Sequence, residues 1–324
     1  MTPQVANANY KWAFKARFRA RAFGWKSQPA ITRVREAVAE IKKVAKRDPV
    51  LAAEGAIIFL ERVSEALEQI DSSSGAIGSA VNHAVADLAE VIGDTQVGAS
   101  TRRSWLERLW LAYVNDQIPY IESLGDHWGE ICATKEIASE WADRLVDGLR
   151  ASWTANPRKR GYYYKGTPNC LGAMVAAGRY DEVMALLELA PYKMWDHQQF
   201  GVKALAAQGK IAEAIRYAEG GCGLNDNPAA IAQVCEKLLL ASGMIDEAYQ
   251  RYGIAANQAG TYLATFRAVA KKYPHKAATE ILADLVKSTP GDEGKWFAAA
   301  KEAGLYAEAL ALASRTPCDP RTLT

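Results

Sequence analysis

A short phrase that recurs along the second half of the chain constrains the fold more than any other feature of the sequence. Each copy begins with glycine and ends with glutamate followed by alanine or valine. The copies occupy residues 178–183, 209–214, 243–248 and 304–309. Their glycines are 31, 34 and 61 residues apart, and the last interval spans two periods, with the missing unit near Tyr273 and Pro274. A period of roughly thirty residues is typical of stacked helical hairpins.

The residue types in the phrase predict a turn between two helices. Glycine ends the first helix because it adopts the left-handed conformation without strain. The tyrosine or isoleucine two positions later is expected to pack into the angle between the helices. Glutamate falls in the first turn of the second helix, where negative charge suits the helix dipole, and alanine lets two backbones approach. One hairpin cannot bury its apolar face alone, so the hairpins are expected to stack.

This turn pattern, G-x-[YI]-x-E-A, resembles that of tetratricopeptide-like (TPR-like) repeats over residues 168–316, although the first helices lack the tryptophan and Gly-Tyr pattern of that family. The resemblance implies a right-handed superhelical stack of helical hairpins. The stretches DPVLAAEGAIIFLERV, ANQAGTYLATFRAVAKKYPHKA and STPGDEGKWFAAAKEAGLY also resemble a group of uncharacterised bacterial proteins. That second resemblance implies an all-helical fold and brings no activity with it.

The first half of the chain has helical spacing of apolar residues without a regular repeat. Val34, Val38 and Ile41 recur three or four positions apart, and Asp48 followed by Pro49 is a helix-start signal. No stretch alternates β-branched residues between Asn-Gly turns, so the sequence predicts an all-α protein. We expect these segments in chain order: a basic aromatic arm over 1–27, an irregular α-helical domain over 28–155, a basic tyrosine-rich loop over 156–167, and TPR-like repeats over 168–324.

The C-terminal residues read as the beginning of another helix. Asp319 is an N-cap candidate and Pro320 suits the first helical position, yet the chain stops after Thr324. A solenoid needs a polar cap at each end. The pattern favours a chain truncated at its C-terminus over an end that another chain covers.

Charge is distributed unevenly between the arm and the rest of the chain. The net charge is +2, but the first 50 residues hold twelve Lys or Arg against three Asp or Glu and carry +9, which leaves −7 on the remainder. This asymmetry predicts either an anionic partner for the arm or docking of the arm on the protein's own acidic surface. Residues 10–26 fit both helical and strand spacing, and their alanines and lack of Val, Ile and Thr favour a helix.

Two basic segments with interleaved aromatic residues are candidates for nucleic-acid binding, because cations neutralise phosphates and flat rings stack on bases. The candidate residues are Lys11, Lys15, Arg17, Arg19, Arg21, Lys26, Arg158, Lys159, Arg160, Tyr162, Tyr163, Tyr164 and Lys165. The alternative for the arm is that its aromatic rings seal it onto the core while the cations extend into solvent. A membrane-surface helix is less favoured, because the arm lacks Leu and Ile.

Catalytic and metal-binding signatures are missing from the sequence. None of the four histidines lies in an H-E-x-x-H motif, no cysteine pair has zinc-finger spacing, and the segment from Asp126 to Cys132 is better explained as a helix-capping cluster. The five cysteines are odd in number and widely spaced, and no apolar run approaches the ~20 residues of a membrane span. We therefore expect a cytoplasmic protein that is not an enzyme and has no metal, no cofactor and no membrane span.

These observations together favour a non-catalytic helical-repeat scaffold that binds a protein partner through its concave surface. The alternative is a nucleic-acid-binding helical-repeat protein that uses the arm and the loop from Arg158 to Lys165. Candidate partner contacts lie at the starts of the first helices or between repeats: Tyr192, Trp195, His197, Asn227, Asn257, Tyr262 and Trp296. The sequence leaves the partner's identity and the oligomeric state open.

Overall fold

The computed structural model describes residues 10–154, 163–221 and 227–314, and all the regular secondary structure of these residues is helical. The all-α prediction is confirmed. The first eight helices are α1 (Ser27–Ala45), α2 (Pro49–Leu67), α3 (Ala76–Asp94), α4 (Ala99–Asn115), α5 (Trp128–Cys132), α6 (Lys135–Thr154), α7 (Thr167–Ala177) and α8 (Tyr180–Leu189). The next eight are α9 (Trp195–Ala207), α10 (Ile211–Gly220), α11 (Pro228–Ala241), α12 (Ile245–Tyr252), α13 (Tyr262–Lys272), α14 (Ala278–Lys287), α15 (Phe297–Glu302) and α16 (Tyr306–Ala313). Short 3-10 turns lie at Phe14–Ala16, Glu122–His127, Ala255–Asn257 and Glu293–Trp296.

The chain divides into two compact units, residues 1–192 and 193–324. The first unit contains α1 to α8 and the second contains α9 to α16. This division differs from the expected boundary at 156–167, because α7 packs extensively against α6 and α5. The approach of α5 and α7 depends on glycine: a Cβ atom at Gly129 would lie 2.3 Å from the carbonyl oxygen of Gly172.

In the first unit, α2 is the most enclosed of the long helices. It packs against α1, α3 and α4, and the arm covers a further part of its surface. Its start follows the sequence signal, since the Asp48 side chain accepts a hydrogen bond of 2.9 Å from the Leu51 N–H and Pro49 occupies the first helical position. Phe59, Leu60 and Val63 are fully buried. An enclosed helix of this kind explains why the sequence from 50 to 67 is apolar on more than one side.

The recurring glycines adopt the conformation that the phrase predicts. Gly178, Gly209, Gly243 and Gly304 have φ between 74° and 80°. After each one, the next residue's N–H bonds back to a carbonyl five residues earlier, as in the 2.9 Å bond from Met244 N to Leu239 O. This backbone pattern ends the first helix of each hairpin.

The residue after the glutamate and the tyrosine or isoleucine two positions before it differ in burial. The residue after it is buried at every copy, at Val183, Ala214, Ala248 and Ala309. The expectation that the preceding tyrosine or isoleucine packs between the helices is wrong for two copies, because Ile245 is 44% and Tyr306 is 68% exposed. Each of these two side chains lies at the first residue of its helix, and the alanine three positions later is buried instead.

The hairpin without a glycine turn is formed by α13 and α14. Its first helix ends at Lys272, and Tyr273 turns the chain with φ of −120° before Pro274. The Tyr273 ring is fully buried, so a packed aromatic side chain holds this turn where the other hairpins use a left-handed glycine.

Candidate functional site

The N-terminal arm lies on the first unit with its aromatic rings turned inward. Trp12, Phe14 and Phe18 are buried, and the rings of Phe14 and Phe18 meet Phe59 edge-on with centroids 5.8 and 5.0 Å apart. The predicted helix over 10–26 is wrong: the arm contains a single 3-10 turn among bends. Burial of alternate rings against two helices overrides the local helix preference. The three buried rings are therefore not available to stack on bases.

Carboxylates of α1 and of the residue that follows α2 hold part of the arm. Arg17 Nη1 lies 2.9 Å from Glu36 Oε2, and Arg21 Nε lies 2.9 Å from Glu68 Oε2. Glu40 accepts hydrogen bonds from the N–H groups of residues 13 and 14, at 2.9 and 3.3 Å. The arm thus docks on its own chain, as one of the two sequence alternatives expected, and two of the predicted nucleic-acid contacts are engaged internally.

Most cations of the first 50 residues nevertheless face solvent. Four of the twelve form ion pairs, namely Arg17, Arg21, Arg33 and Lys42. The other eight are exposed and form no ion pair with the described residues: Lys11, Lys15, Arg19, Lys26, Arg35, Lys43, Lys46 and Arg47. A groove of about 500 Å³ separates the arm from α1. We call the eight residues the basic face.

The second predicted nucleic-acid segment is only partly described. Arg158, Lys159, Arg160 and Tyr162 lie outside the described residues. Tyr163 is exposed and its hydroxyl donates to Glu122 Oε1 at 3.0 Å. The Tyr164 ring packs on the backbone at Gly148, and Lys165 Nζ donates to the Asp116 carbonyl at 2.7 Å. Both side chains therefore contact other residues of the first unit, and their assignment to a nucleic-acid surface stays a prediction.

Among the predicted partner contacts, both tryptophans are internal. Trp195 is 8% and Trp296 is 2% exposed. The indole N–H of Trp296 donates to Thr289 Oγ1 at 2.7 Å, and its ring meets Tyr262 edge-on at 4.8 Å. Tyr262 in turn donates its hydroxyl to Asp292 at 2.9 Å. These contacts hold the end of the repeat unit together and correct the expectation that the tryptophans line an open surface.

Tyr262 and Trp296 also form part of the wall of a small cavity. The cavity measures about 280 Å³, and Thr261, Thr265 and Leu285 are among its other lining residues. Thr265 Oγ1 is occupied, since it accepts from the Ala259 N–H at 2.9 Å.

The two asparagines have structural partners. Asn227 caps α11 by accepting from the Ala229 N–H at 3.0 Å. Asn257 Nδ2 donates to Glu236 Oε1 at 2.6 Å.

His197 is half-buried, and burial lowers the pKa of its imidazole. Tyr192 is 56% exposed at the end of the first unit, so it and Asn227 are the exposed members of the predicted set.

A buried carboxylate links α11 to the segments that follow it. Glu236 is fully buried. Besides the bond from Asn257, its Oε1 accepts from the Tyr273 hydroxyl at 2.6 Å, and its Oε2 lies 2.6 Å from Lys272 Nζ. Three donors from sequence positions 21 to 37 residues away therefore converge on one side chain. We call this group the Glu236 network.

Sequence analysis missed a set of residues that recurs at one position of three successive hairpins. The first helices α9, α11 and α13 carry a pair four residues apart, and each pair lies 34 residues after the previous one. The pairs are Gln199 with Lys203, Gln233 with Lys237, and Arg267 with Lys271. All three lysines are exposed. We call the six residues the first-helix row. Aligning the sequences of the hairpins at their turns would have revealed this recurrence.

The segment from Asp126 to Cys132 contains a histidine beside a carboxylate and a buried thiol. His127 Nδ1 lies 2.9 Å from Glu130 Oε2, and Cys132 is buried, which raises the pKa of its thiol to about 12. A group of three or more His, Cys, Asp or Glu residues with the geometry of a metal site does not occur in residues 10–154, 163–221 and 227–314. Over the same residues, every helix is too short or too polar to cross a bilayer.

Comparisons of the chain with protein-family models, with curated proteins and with solved structures return no significant match.

Proposed function

We propose that the protein is a non-catalytic scaffold whose TPR-like hairpins hold a protein partner. One observation carries this proposal. In the second unit, the extensive contacts of the described helices join helices of the same hairpin or of adjacent hairpins. Such a stack has no central core that encloses a catalytic cleft, and it exposes one side of every hairpin along its length.

The exposed faces of the first helices carry polar and charged side chains, which favour a polar surface on the partner. Each of the first helices α9, α11 and α13 buries one face and presents its lysine of the first-helix row to solvent. Extended surfaces of stacked hairpins are a common means of binding peptides and proteins. A right-handed superhelical course of the hairpins and a cytoplasmic location belong to this proposal.

Site-specific photocrosslinking tests the scaffold. Gln233 on the first helix and Gln250 on the second helix of the same hairpin are both exposed, so they form a matched pair for replacement with benzoylphenylalanine. We expect a discrete adduct with one cellular protein from position 233 and none from position 250. Equal adducts from both positions, or none from either, would contradict the proposal.

A second candidate function is the binding of nucleic acid by the basic face. The observation in its favour is that eight of the twelve cations in the first 50 residues are exposed without an ion pair to the described residues. Because the arm rings are buried, binding would rest on phosphate contacts alone and would be insensitive to sequence.

Fluorescence anisotropy with single-stranded DNA, duplex DNA and RNA at low and moderate salt tests this candidate. Replacing Lys11, Lys15 and Arg19 with glutamate should weaken binding and reduce the salt slope by about 2 on single strands. A variant with Lys203, Lys237 and Lys271 replaced by glutamate has the same change in charge and serves as the control. Absence of salt-dependent binding by the wild type at low ionic strength rules this function out.

A further inference from the structure

We infer that two copies of this chain associate through the exposed apolar side of α16. This side consists of Tyr306, Ala307, Leu310 and Ala311, and we call it the α16 face. It contains none of the residues assigned to the scaffold function, and its role does not depend on that function.

The fifth residue of each second helix in the second unit is buried in three hairpins and exposed in the last one described. This residue is Ile215 in α10, Tyr249 in α12 and Leu282 in α14, and the three side chains are 3%, 6% and 3% exposed. At the same position of α16, Leu310 is 72% exposed. A position that is covered in the three earlier hairpins is therefore uncovered in α16.

Elements of the next hairpin pack against each of the earlier second helices. The Tyr249 hydroxyl of α12 donates to Asp284 Oδ2 of α14 at 2.7 Å, and its ring meets the Tyr273 ring edge-on with centroids 5.1 Å apart. Similarly, α10 packs against α11, and α14 packs against the 3-10 turn Glu293–Trp296. The surface around the fifth position is therefore shaped to receive a helical hairpin of the same repeat.

The α16 face is apolar over its whole extent. Tyr306 is exposed, as are the two alanines. The sequence of α16 contains one charged residue, Glu308, which lies two positions from both Tyr306 and Leu310 and so does not share their side of the helix. Contiguous exposed apolar surface marks an interaction site in soluble proteins. By contrast, the second and sixth residues of the other second helices include Arg216, Asp246, Gln250 and Thr279.

The α16 face is also complementary to itself, which favours a second copy as its occupant. Tyr306 and Leu310 are four residues apart and form a row of large side chains, and Ala307 and Ala311 form a row of small ones beside it. When two copies pair about a two-fold axis parallel to α16, the large row of one protomer lies against the small row of its partner. Because neither row carries a charge, no like charges meet in this contact. Two-fold dimers with such self-complementary patches are the commonest oligomers of soluble proteins.

The size of the contact sets the expected strength of the dimer. The helix has eight residues, so a pair of these faces buries less than the roughly 800 Å² per partner that is standard for stable complexes. We therefore expect a dimer that dissociates on dilution.

Sedimentation velocity of the full chain, at about 1 to 100 µM and with a reducing agent present, measures this association. The face variant carries Tyr306→Glu and Leu310→Glu. The control variant carries Met244→Glu and Ile245→Glu, which replace two exposed apolar side chains at the start of α12 and give the same change in charge. Circular dichroism and thermal melting confirm that both variants fold.

We expect the wild type and the control variant to pass from monomer to dimer as the concentration rises. The face variant should dimerise at least about tenfold more weakly, because its carboxylates would be buried without partners. A wild type that stays monomeric over this range overturns the inference, as does an equal loss of dimer in both variants or in neither. Growth beyond the dimer also overturns it, because a head-to-tail contact continues into longer assemblies whereas a two-fold contact closes.

Discussion

The Glu236 network supplies the sharpest test of how the repeat unit is held together. Glu236 has no exposed surface and receives donors from Asn257, Lys272 and Tyr273, each at 2.6 Å. Replacing it with alanine leaves three donors without their acceptor, and one of them is a cation. Lys272 is 39% exposed and is solvated by water, but the two neutral donors lose their acceptor inside the fold, at a cost of about 1–3 kcal/mol each. Glutamine retains one acceptor oxygen but loses the charge, which costs about 1.5–3 kcal/mol.

Hydrogen exchange of backbone amides measures this loss locally, which matters because the chain has two compact units and need not unfold in one step. We expect Glu236→Ala to accelerate exchange in α11 and α13 by about 10²–10³-fold, since every 1.4 kcal/mol is tenfold. The exchange rate of Glu236→Gln should lie between those of Glu236→Ala and the wild type. The control is Glu213→Ala, an exposed glutamate in α10, which should change stability by less than about 0.5 kcal/mol.

The reasoning is refuted if Glu236→Ala and Glu213→Ala exchange alike in α11 and α13. Equal losses from glutamine and alanine would also refute it, because glutamine keeps one acceptor oxygen and loses the charge, whereas alanine loses both.

Three further predictions concern turns, thiols and pH. Gly243→Ala should destabilise the protein by about 1–2 kcal/mol, because its φ is 75°, whereas Gly78→Ala, in α3 with open space around it, should stabilise it by up to about 1 kcal/mol; equal changes in urea midpoint would contradict this. Burial raises the pKa of the Cys132 and Cys170 thiols to about 12, so neither should react with iodoacetamide in the native protein near neutral pH, and both should react in guanidinium; peptide mass spectrometry reads this out. Burial lowers the pKa of His197 below its ordinary value of 6.5, so this residue contributes stability above pH 6.5 that is lost as the pH falls through the lowered pKa. The pH dependence of the unfolding free energy from about pH 7.5 to 5 should therefore be shallower in His197→Asn than in the wild type, and identical slopes would contradict the assignment.

Sequence reasoning succeeded where a few adjacent residues decide the structure. The left-handed glycines, the cap at Asp48 and the all-α class follow from steric and hydrogen-bonding preferences that act within one or two helical turns. It was wrong for the arm, whose conformation depends on Phe59, about 40 residues away in sequence, more than on its own helix propensity. No local pattern shows that Gly148 leaves room for the Tyr164 ring, so this contact could not be predicted from the sequence.

The sequence by itself therefore determined the all-α class and the left-handed glycines that end helices, because those features depend on local backbone chemistry. The tertiary structure decided which polar and aromatic side chains remain available for a partner. Asn257 and Trp296 satisfy Glu236 and Thr289 inside the fold, whereas Lys237, beside the same carboxylate in sequence, faces solvent. Whether a side chain bonds within the fold or stays accessible depends on the groups that other helices place next to it. The packing of the helices in three dimensions determines which groups those are.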